Sequence, residues 1–380
     1  MENIFRENTK KLGFGMMRLP ELSTSGKFGN IDIELTKKMV DFFISEGFTY
    51  FDTAWMYCGF KSEDAAGEAL VSRHKRDEFT LATKLHAGFF KNEDEMENVF
   101  KTQLAKTRVD YFDYYLLHDL GEDHYKKYQK FGCFEWLADK KKAGFVKHMG
   151  FSYHDRADLL DKILSEHPEV EFVQLQLNYL DWESEAIQSR KCYEVARKYD
   201  LPVIIMEPVK GGMLADPPEA VKKILKEASP DASCSSWAIK YAADLEGVIT
   251  VLSGMSNTEQ MEDNISFMKD FSGLTDGERE VLKKASDAIN EVPIIPCTSC
   301  DYCAKVCPME VGISGSFSAM NIITIYNDME KAKNQMQWFV ERQQRKHASE
   351  CIRCGACEAV CPQHISIISE LEKIAEAFGE

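Results

Sequence analysis

The sequence predicts an α/β protein of eight β/α units followed by a small cysteine-rich module. Short stretches rich in β-branched and aromatic residues alternate with amphipathic helical patterns from about residue 12 to residue 268. Three of these stretches end in a titratable side chain, and parallel α/β folds place their chemistry at the carboxyl ends of strands. Eight of the twelve cysteines lie in two short runs near the carboxyl end.

The individual elements follow from local composition. The first strand is predicted over 12–20, where Gly13 and Gly15 permit a close backbone approach. The first helix is predicted over 34–46, because its apolar residues share one face and Gly47 ends it. The other predicted strands lie near 48–52, 79–84, 111–117, 145–151, 171–176, 202–206 and 247–252. The other predicted helices lie near 62–73, 92–107, 130–142, 155–165, 183–199, 218–227 and 257–268, with an additional one over 231–245.

Eight units in about 260 residues match the size of a TIM barrel, and a doubly wound open sheet is the alternative. The barrel is favoured because a closed ring aims the ends of consecutive strands at one centre. We therefore expect a barrel over 1–275, a linker helix and junction over 276–296, and a cysteine module over 297–380 with a helical insert near 317–344.

Composition excludes several classes of function. The net charge of −16 disfavours binding to nucleic acid or to an anionic membrane surface. The amino terminus has no apolar core of signal-peptide length, and no run of about 18 apolar residues occurs. The four scattered cysteines have no pairing pattern and are predicted to be free thiols, which indicates a reducing cytoplasm. They are Cys58, Cys133, Cys192 and Cys234.

The candidate catalytic residues stand at or just after strand ends. Asp52, Lys84 and His118 each close a predicted strand, and Tyr57 lies on the loop after the first of them. A structural ion pair and a core histidine would explain any one of these residues alone. Their convergence on one rim of a barrel favours catalysis instead.

In the order Asp, Tyr, Lys, His, these residues resemble the tetrad of the aldo-keto reductases, and the resemblance covers roughly residues 8–270. It implies reduction of a small carbonyl compound, or oxidation of an alcohol, with NAD(P)H. Tyr57 would donate a proton to the carbonyl oxygen, and the Lys84 ammonium would lower the pKa of its phenol. Asp52 would keep Lys84 charged, and His118 would polarise the carbonyl.

The same resemblance implies residues that hold the cofactor. The Gly-x-Ser of Gly150 to Ser152 and the amide of Gln174 match positions that contact the nicotinamide amide. Met206 stands where many members stack an aromatic ring, and the stretch 252–264 matches the phosphate-binding segment but lacks the Lys and Arg of NADP-preferring relatives. The predicted cofactor residues are Gly15, Met16, Ser152, Gln174, Met206, Gly211, Ser253, Gly254, Gln260 and Asn264. For Asn264 a position on the helix surface is equally consistent with the sequence.

The two cysteine runs share one spacing, Cys-x2-Cys-x2-Cys-x3-Cys-Pro, with residues 308–350 between them. Zinc is the alternative metal, but structural zinc sites need neither a third cysteine three residues on nor a Cys-Pro. The spacing resembles bacterial two-cluster 4Fe-4S ferredoxins, in which the fourth cysteine of each run ligates the other cluster. This implies one cluster on Cys297, Cys300, Cys303 and Cys361, and another on Cys351, Cys354, Cys357 and Cys307.

Three functional hypotheses follow. The first is an aldo-keto reductase coupled to two 4Fe-4S clusters and, through them, to an electron-transfer partner protein. Because hydride carries two electrons and each cluster accepts one, a flavin such as FMN could convert between them, which makes a flavin-dependent, ferredoxin-linked enzyme the second. A non-catalytic redox-sensing subunit is the third. The predicted specificity loop over 121–130 does not identify the substrate.

Overall fold

The computed structural model of the chain describes residues 10–22, 30–185, 187–326, 328–337 and 343–380. Eight parallel strands form a closed barrel in sequence order, so the predicted TIM barrel is confirmed and the open sheet is excluded. The strands are β1 Leu12–Gly15, β2 Tyr50–Asp52, β3 Thr80–His86, β4 Phe112–Leu120, β5 Val146–Tyr153, β6 Phe172–Gln176, β7 Val203–Met206 and β8 Val248–Ser253.

Helices alternate with these strands and continue beyond them. Those that accompany the barrel strands are α1 Ile33–Ser45, α2 Tyr57–Phe60, α3 Ser62–Ala66, α4 Glu93–Thr107, α5 Glu122–Lys130, α6 Cys133–Lys142, α7 Ala157–Glu166, α8 Ser189–Lys198, α9 Glu219–Ala228, α10 Cys234–Asp244 and α11 Thr258–Met268. The remaining helices are α12 Asp276–Asn290, α13 Tyr302–Val306, α14 Ile313–Tyr326, α15 Met329–Gln337, α16 Ala356–Ala359 and α17 Ile367–Phe378.

Several predicted elements differ from the observed ones. The segment 121–130 was expected to be a loop, but it contains α5, whose buried faces carry Tyr125 and Tyr128. The first strand ends at Gly15 and gives way to a 3-10 turn, Met16–Arg18. The helix predicted over 62–73 becomes α3 followed by a π-helical turn, Gly67–Val71. The insert near 317–344 divides into α14 and α15, and its part over 338–342 lies outside the described residues.

The period-two alternation of strands determines which side chains fill the barrel. A buried layer inside it contains Tyr50, Ala82, Leu116, Phe172, Ile204 and Leu252. Two residues further along the same strands come Asp52, Lys84, His118, Gln174, Met206 and Gly254. The predicted site residues therefore form the next inward-facing layer, at the carboxyl ends of the strands.

The described residues form two compact units that do not follow the chain linearly. The first unit contains the strands, with residues up to Glu183, Gln188–Pro208 and Ile239–Leu274. The second contains Ser184–Ile187, Val209–Ala238 and Thr275–Glu380. None of the helices in the described ranges has the length and apolar character needed to cross a bilayer.

The second unit packs helices around the cysteine runs. Within it α9 lies against α12, and α14 lies against α15 and α17. A capping box begins α12, because Thr275 Oγ1 accepts the N–H of Glu278 while the Glu278 carboxylate accepts the N–H of Thr275. Apolar residues including Val311, Phe317 and Ile374 form its core together with the cysteines.

Candidate active site

A buried ion pair lies at the centre of the candidate site. Lys84 Nζ is 2.6 Å from Asp52 Oδ1 and donates a second hydrogen bond, 2.8 Å long, to the carbonyl oxygen of Thr53. Lys84 is fully buried and Asp52 is 2% exposed. Burial lowers the pKa of Lys84 and raises the pKa of Asp52, and each partner's charge opposes the shift of the other. The predicted orientation of Lys84 by Asp52 agrees with this geometry.

Tyr57 lies between the ion pair and His118. Lys84 Nζ is 4.9 Å from the centroid of the Tyr57 ring, and the rings of Tyr57 and His118 meet edge to face with centroids 5.8 Å apart. Tyr57 begins α2, a turn in which Cys58 and Gly59 adopt left-handed backbone angles. The structure therefore brings all four residues of the predicted tetrad together in the first unit.

The expected lowering of the Tyr57 pKa by Lys84 is wrong for this structure. Burial raises the pKa of the Tyr57 phenol well above 10, and the negative charges of Asp52, Glu207 and Asp119 add to the effect. The positive charge of Lys84 is compensated by Asp52, which explains why its ammonium does not reverse the shift. The phenol consequently stays protonated at neutral pH and is available as a proton donor.

A hydrogen-bond network that the sequence did not reveal holds β3 in place. Gln103, fully buried on α4, donates to Glu63 Oε1 and to the carbonyl oxygen of Lys84 at 2.7 and 3.0 Å. Glu63 also accepts from Thr83, and Tyr115 donates to Gln103 Oε1. These buried hydrogen bonds link α4 to the strand that carries Lys84, while Glu63 Oε2 lies 3.8 Å from Lys106 Nζ and has no hydrogen-bond partner among the described residues.

Tyr128 fixes the strand ends that carry His118. Its hydroxyl lies 2.7 Å from the carbonyl oxygen of His118 and 2.8 Å from that of Leu85, and it accepts the N–H of Ala87. Tyr128 is fully buried on α5, the segment predicted as a loop. The helical spacing of Tyr125 and Tyr128 was the signal that could have identified this helix.

Four histidines and an aspartate form a further group that sequence reasoning missed. Asp119 follows His118 in a bulge of β4 with a left-handed φ of 57°, and its carboxylate lies 3.6 Å from both His86 and His124 and 4.0 Å from His154. Burial would raise the pKa of Asp119, but the hydrogen bond with His86 and the charges of the histidines lower it to about 2. The ring of His86 is also 5.3 Å from that of His118.

The protonation of this histidine group argues against a metal ion among its members. His86, Asp119 and His124 have ligand atoms within 4.8 Å of one another. However, His86 Nδ1 accepts the N–H of Gly88, which leaves the proton of the neutral ring on Nε2, facing Asp119. His124 Nδ1 must donate to the carbonyl oxygen of Asp119, 2.6 Å away. A metal bound at His86 Nε2 would therefore have to displace the proton that faces Asp119.

The predicted nicotinamide contacts lie in the barrel interior. Ser152 Oγ, 1% exposed, accepts the N–H of Asp119 at 2.8 Å. Gln174 donates to Met206 Sδ through Nε2, and its buried Oε1 has no hydrogen-bond partner among the described residues. A buried amide oxygen without a donor is an unsatisfied acceptor, which can accept a hydrogen bond from the N–H of a ligand.

The segment after β8 is organised by hydrogen bonds around its own helix start. Asn264 is 4% exposed and donates to Ser253 Oγ at 2.7 Å, so it does not lie on the helix surface. Asn257 caps α11 by accepting the N–H of Gln260, whose side chain accepts the N–H of Ser256. These contacts preform the predicted phosphate-binding segment.

Arg18 lies beside this segment, which contains no Lys or Arg of its own. Its side-chain carbons lie 3.4 to 3.6 Å from the position that a Cβ of Gly254 would take, and Ser256 Oγ donates to its carbonyl oxygen. Gly15 approaches the same segment, since its Cβ would be 3.3 Å from the carbonyl oxygen of Ser253. Met16 is fully buried, and its carbonyl oxygen accepts the hydroxyl of Ser62.

Gly211 has a different environment from the other predicted cofactor residues. It belongs to the second unit, has a φ of 66°, and leaves no room for a side chain, because a Cβ there would lie 2.5 Å from the carbonyl oxygen of Thr298. Its neighbour Lys210 is 2% exposed. The glycine is required by this close approach to the first cysteine run.

The structure groups the cysteines as the ferredoxin resemblance implies. Burial raises the pKa of Cys297 to about 12 and raises that of Cys303, and the nearby thiol of Cys361 adds to both shifts. We call Cys297, Cys300, Cys303 and Cys361 the first cluster site. A separate cavity is lined by Cys307, Cys351, Cys354 and Cys357, which we call the second cluster site.

The backbone around both cluster sites is suited to a negatively charged group. Left-handed residues recur at matching positions of the two runs, Ser299 with Arg353, Asp301 with Gly355, and Glu310 with His364. Alternation of right-handed and left-handed residues turns backbone N–H groups toward a common point, as in many Fe–S sites. The N–H of Ser299 already donates to Cys297 Sγ at 3.4 Å. The donor set therefore fits iron–sulfur clusters.

Comparison with known proteins assigns the family. The family model described as Aldo/keto reductase family matches residues 11–286. The chain belongs to the aldo/keto reductase family. This aldo/keto reductase also carries a 4Fe-4S dicluster domain, whose model matches residues 296–366. The fused architecture predicted from the sequence and its oxidoreductase class are thereby confirmed.

Several relatives resemble this aldo/keto reductase over its barrel. An uncharacterized oxidoreductase of Bacillus subtilis (strain 168), YqkF, is 23% identical over 287 residues, which are 67% of this chain and 89% of the relative. The aldo-keto reductase AKR11C1 of Bacillus halodurans in its holo form is 22% identical with a TM-score of 0.57, over 72% of this chain and 91% of that one. An aldo-keto reductase of Klebsiella pneumoniae in complex with NADPH is 18% identical with a TM-score of 0.56, over 73% and 90%.

Proposed function

We propose that this aldo/keto reductase reduces a small-molecule carbonyl compound with NAD(P)H and exchanges electrons with a partner protein through its two clusters. The observation that carries the first part is the convergence of Tyr57, the buried Lys84–Asp52 pair and His118 at the carboxyl end of the barrel. Free buried thiols and thiolate-ligated clusters are compatible with the reducing cytoplasm, where we place the protein.

The geometry supports a division of labour among the four residues. Tyr57 holds the proton that the carbonyl oxygen receives, since its raised pKa keeps the phenol neutral. The Lys84 ammonium, 4.9 Å from the ring centroid, offsets part of the cost of forming a buried phenolate, but not enough to lower the Tyr57 pKa below its usual value. His118, packed against the Tyr57 ring, can donate to the same oxygen and orient the carbonyl. NAD(P)H, when bound, supplies the hydride.

The barrel offers partners for the cofactor. The unsatisfied Oε1 of Gln174 supports contact with the nicotinamide carboxamide. Arg18, beside Gly254, supports an ion pair with a cofactor phosphate, and we assign it to the 2′-phosphate of NADPH. The NADPH complex of the Klebsiella pneumoniae relative is consistent with this choice.

Aromatic residues next to the tetrad suggest the character of the substrate. Phe60 is 44% exposed, and its ring meets those of Trp55 and Phe89 at 6.3 and 5.5 Å. Phe89 lies 5.4 Å from His86, whose ring contacts His118. An apolar rim beside the proton donor favours carbonyl compounds with an apolar or aromatic substituent.

Turnover by a Tyr57→Phe variant tests the proposal. Anaerobically prepared protein is assayed against aldehydes and ketones with NADPH and NADH. We expect Tyr57→Phe to reduce kcat at least ~10²-fold without changing cofactor affinity, because only the proton donor is lost. Tyr50→Phe is the matched control, since it removes a buried barrel hydroxyl that has no hydrogen-bond partner among the described residues. Equal turnover by Tyr57→Phe and wild type would mean that Tyr57 is structural. Failure of the wild type to turn over any carbonyl compound would favour the redox-sensing alternative.

Electron transfer between the barrel and the clusters can also be explained by a flavin. A hydride delivers two electrons together, whereas each cluster accepts one, so direct exchange is mismatched. We therefore propose that FMN, bound by this chain or by the partner protein, divides the electron pair. The electron count supports this proposal.

A further inference from the structure

The second unit contains a buried lysine that the proposed carbonyl chemistry does not use. Among the described residues two lysines are buried, Lys84 in the barrel and Lys210, which is 2% exposed. Lys210 has a left-handed φ of 47°, an unfavourable conformation for a residue with a side chain. A strained backbone at a buried lysine indicates a functional role for this residue.

Lys210 reaches the chain next to the first cluster site. Its Nζ donates a 2.9 Å hydrogen bond to Oε1 of Gln363, two residues beyond Cys361. The following residue, Gly211, packs on the backbone of Thr298, which adjoins Cys297. The turn at Lys210–Gly212 therefore touches both chain segments that supply ligands to the first cluster site.

Gln363 has a donor without a partner. Its side chain is 5% exposed, its Oε1 is occupied by Lys210, and its buried Nε2 has no hydrogen-bond partner among the described residues. An orphaned buried N–H destabilises the fold, so its retention calls for an acceptor. Cys361, two residues before Gln363, would hold the cluster, and the sulfur atoms of a bound cluster would be acceptors.

We propose that Lys210 and Gln363 form a buried donor pair that raises the reduction potential of the first cluster. When that cluster is reduced, it gains one electron and one negative charge, and no proton needs to move. A buried ammonium and an N–H donor stabilise the added charge. The proposal concerns an equilibrium property of the dicluster domain and holds whether or not the barrel reduces carbonyl compounds.

The second cluster site differs from the first at the positions that match Gln363 and Asp301. The residue two positions after Cys307, matching Gln363 after Cys361, is Met309, which lines the second cavity together with Val311 and Leu371. The first site also has the charge of Asp301 close to Cys297 and Cys303, where the second run has Gly355. The second site has the charge of Glu358 near Cys357 instead, and Met309 in place of the Gln363 amide that Lys210 contacts in the first.

The test is a redox titration of anaerobic, iron-loaded full-length protein with dithionite, followed by electron paramagnetic resonance. Lys210→Met keeps the apolar stem and removes the charge. We expect the midpoint reduction potential of one of the two clusters to fall. At a fixed potential the ratio of reduced to oxidised cluster should be ~10-fold lower, which corresponds to about 59 mV for a one-electron couple. Gln363→Met copies the residue of the second site and should lower the same midpoint by a smaller amount.

Lys305→Met is the matched control, because Lys305 is an exposed lysine on α13 and its charge is screened by solvent. Unchanged midpoints in Lys210→Met, at about eight iron atoms per chain, would overturn the proposal. Equal shifts in Lys210→Met and Lys305→Met would also overturn it, since they would show a general charge effect. If Lys210→Met loads less iron, Gln363→Met decides, and unchanged midpoints in that variant reject the donor pair.

Discussion

Replacing Lys84 by Met should make the stability of the barrel strongly dependent on pH. The substitution leaves the Asp52 carboxylate buried at 2% exposure without its ion-pair partner and removes two hydrogen bonds, to Asp52 and to Thr53. Breaking a buried pair by deleting one partner costs about 3–5 kcal/mol. The Met side chain fills nearly the same space as the aliphatic part of the Lys84 side chain, so little of this cost comes from lost packing.

The pH dependence follows from the proton that Asp52 takes up. Burial already raises the pKa of Asp52 with Lys84 present, and losing the ammonium raises it further. In the variant the native carboxyl stays protonated while the unfolded one ionises, so stability is retained at low pH and lost as pH rises. The slope is about 1.4 kcal/mol per pH unit, or up to about 2.7 kcal/mol between pH 6 and pH 8.

Anaerobic urea unfolding at pH 6, 7 and 8, followed by near-UV circular dichroism, measures this slope. Hydrogen exchange in the peptide 48–57 reports the same loss locally. The double variant Lys84→Met/Asp52→Asn has no carboxyl to titrate and should lack the slope. Lys126→Met breaks an exposed pair with Glu122 and should leave the stability nearly unchanged at all three pH values. An equal slope in the single and double variants would refute the assignment to Asp52.

Three further predictions concern the site and its coupling. The tyrosinate absorbance of wild type and Tyr57→Phe should not differ up to about pH 10, because burial raises the Tyr57 pKa; a difference near pH 8 would show a lowered pKa. Arg18→Ala should weaken NADPH binding ~10-fold but not NADH binding, and equal losses in titration calorimetry would contradict the 2′-phosphate assignment. In flavin-free protein NADPH should bleach the clusters slowly in anaerobic stopped flow, and added FMN should accelerate it; rapid bleaching without FMN would remove the need for flavin.

Tyr128→Phe tests whether the Tyr128 hydroxyl positions the strand end that carries His118. The substitution leaves the Ala87 N–H without its acceptor and frees the carbonyl oxygens of His118 and Leu85. We expect about 1–3 kcal/mol lower stability and a lower kcat with KM nearly unchanged. A KM increase with unchanged kcat would mean that Tyr128 acts on substrate binding instead.

The tetrad was accessible from the sequence because strand ends carry simple local signals. Asp52, Lys84 and His118 each follow a β-branched or aromatic run, and parallel strands of a barrel end on one rim. The Cys-x2-Cys-x2-Cys spacing is equally local. In both cases each residue is marked by its immediate neighbours in the sequence, so a single chain suffices to predict the set.

Other features depend on distant contacts and could not be predicted in this way. The pKa of Tyr57 depends on burial and on Asp119 and Glu207, which approach it only after the barrel closes. Asp119 gathers its histidines because a bulge in β4 turns the residue, and no composition signal marks that bulge. The position of Arg18 beside Gly254 likewise depends on the pairing of the first strand with the last.

The inclusion of Val209–Ala238 in the second unit has a consequence for recombination. A gene fragment that begins at Thr275 would encode the cysteine runs but would lack α9, which packs on α12, and the turn at Lys210 that meets Gln363. A single crossover therefore cannot transfer the complete dicluster domain to another barrel. A functional chimera must carry the segment after β7 together with the carboxyl-terminal region, and the two stretches must be inherited as a pair.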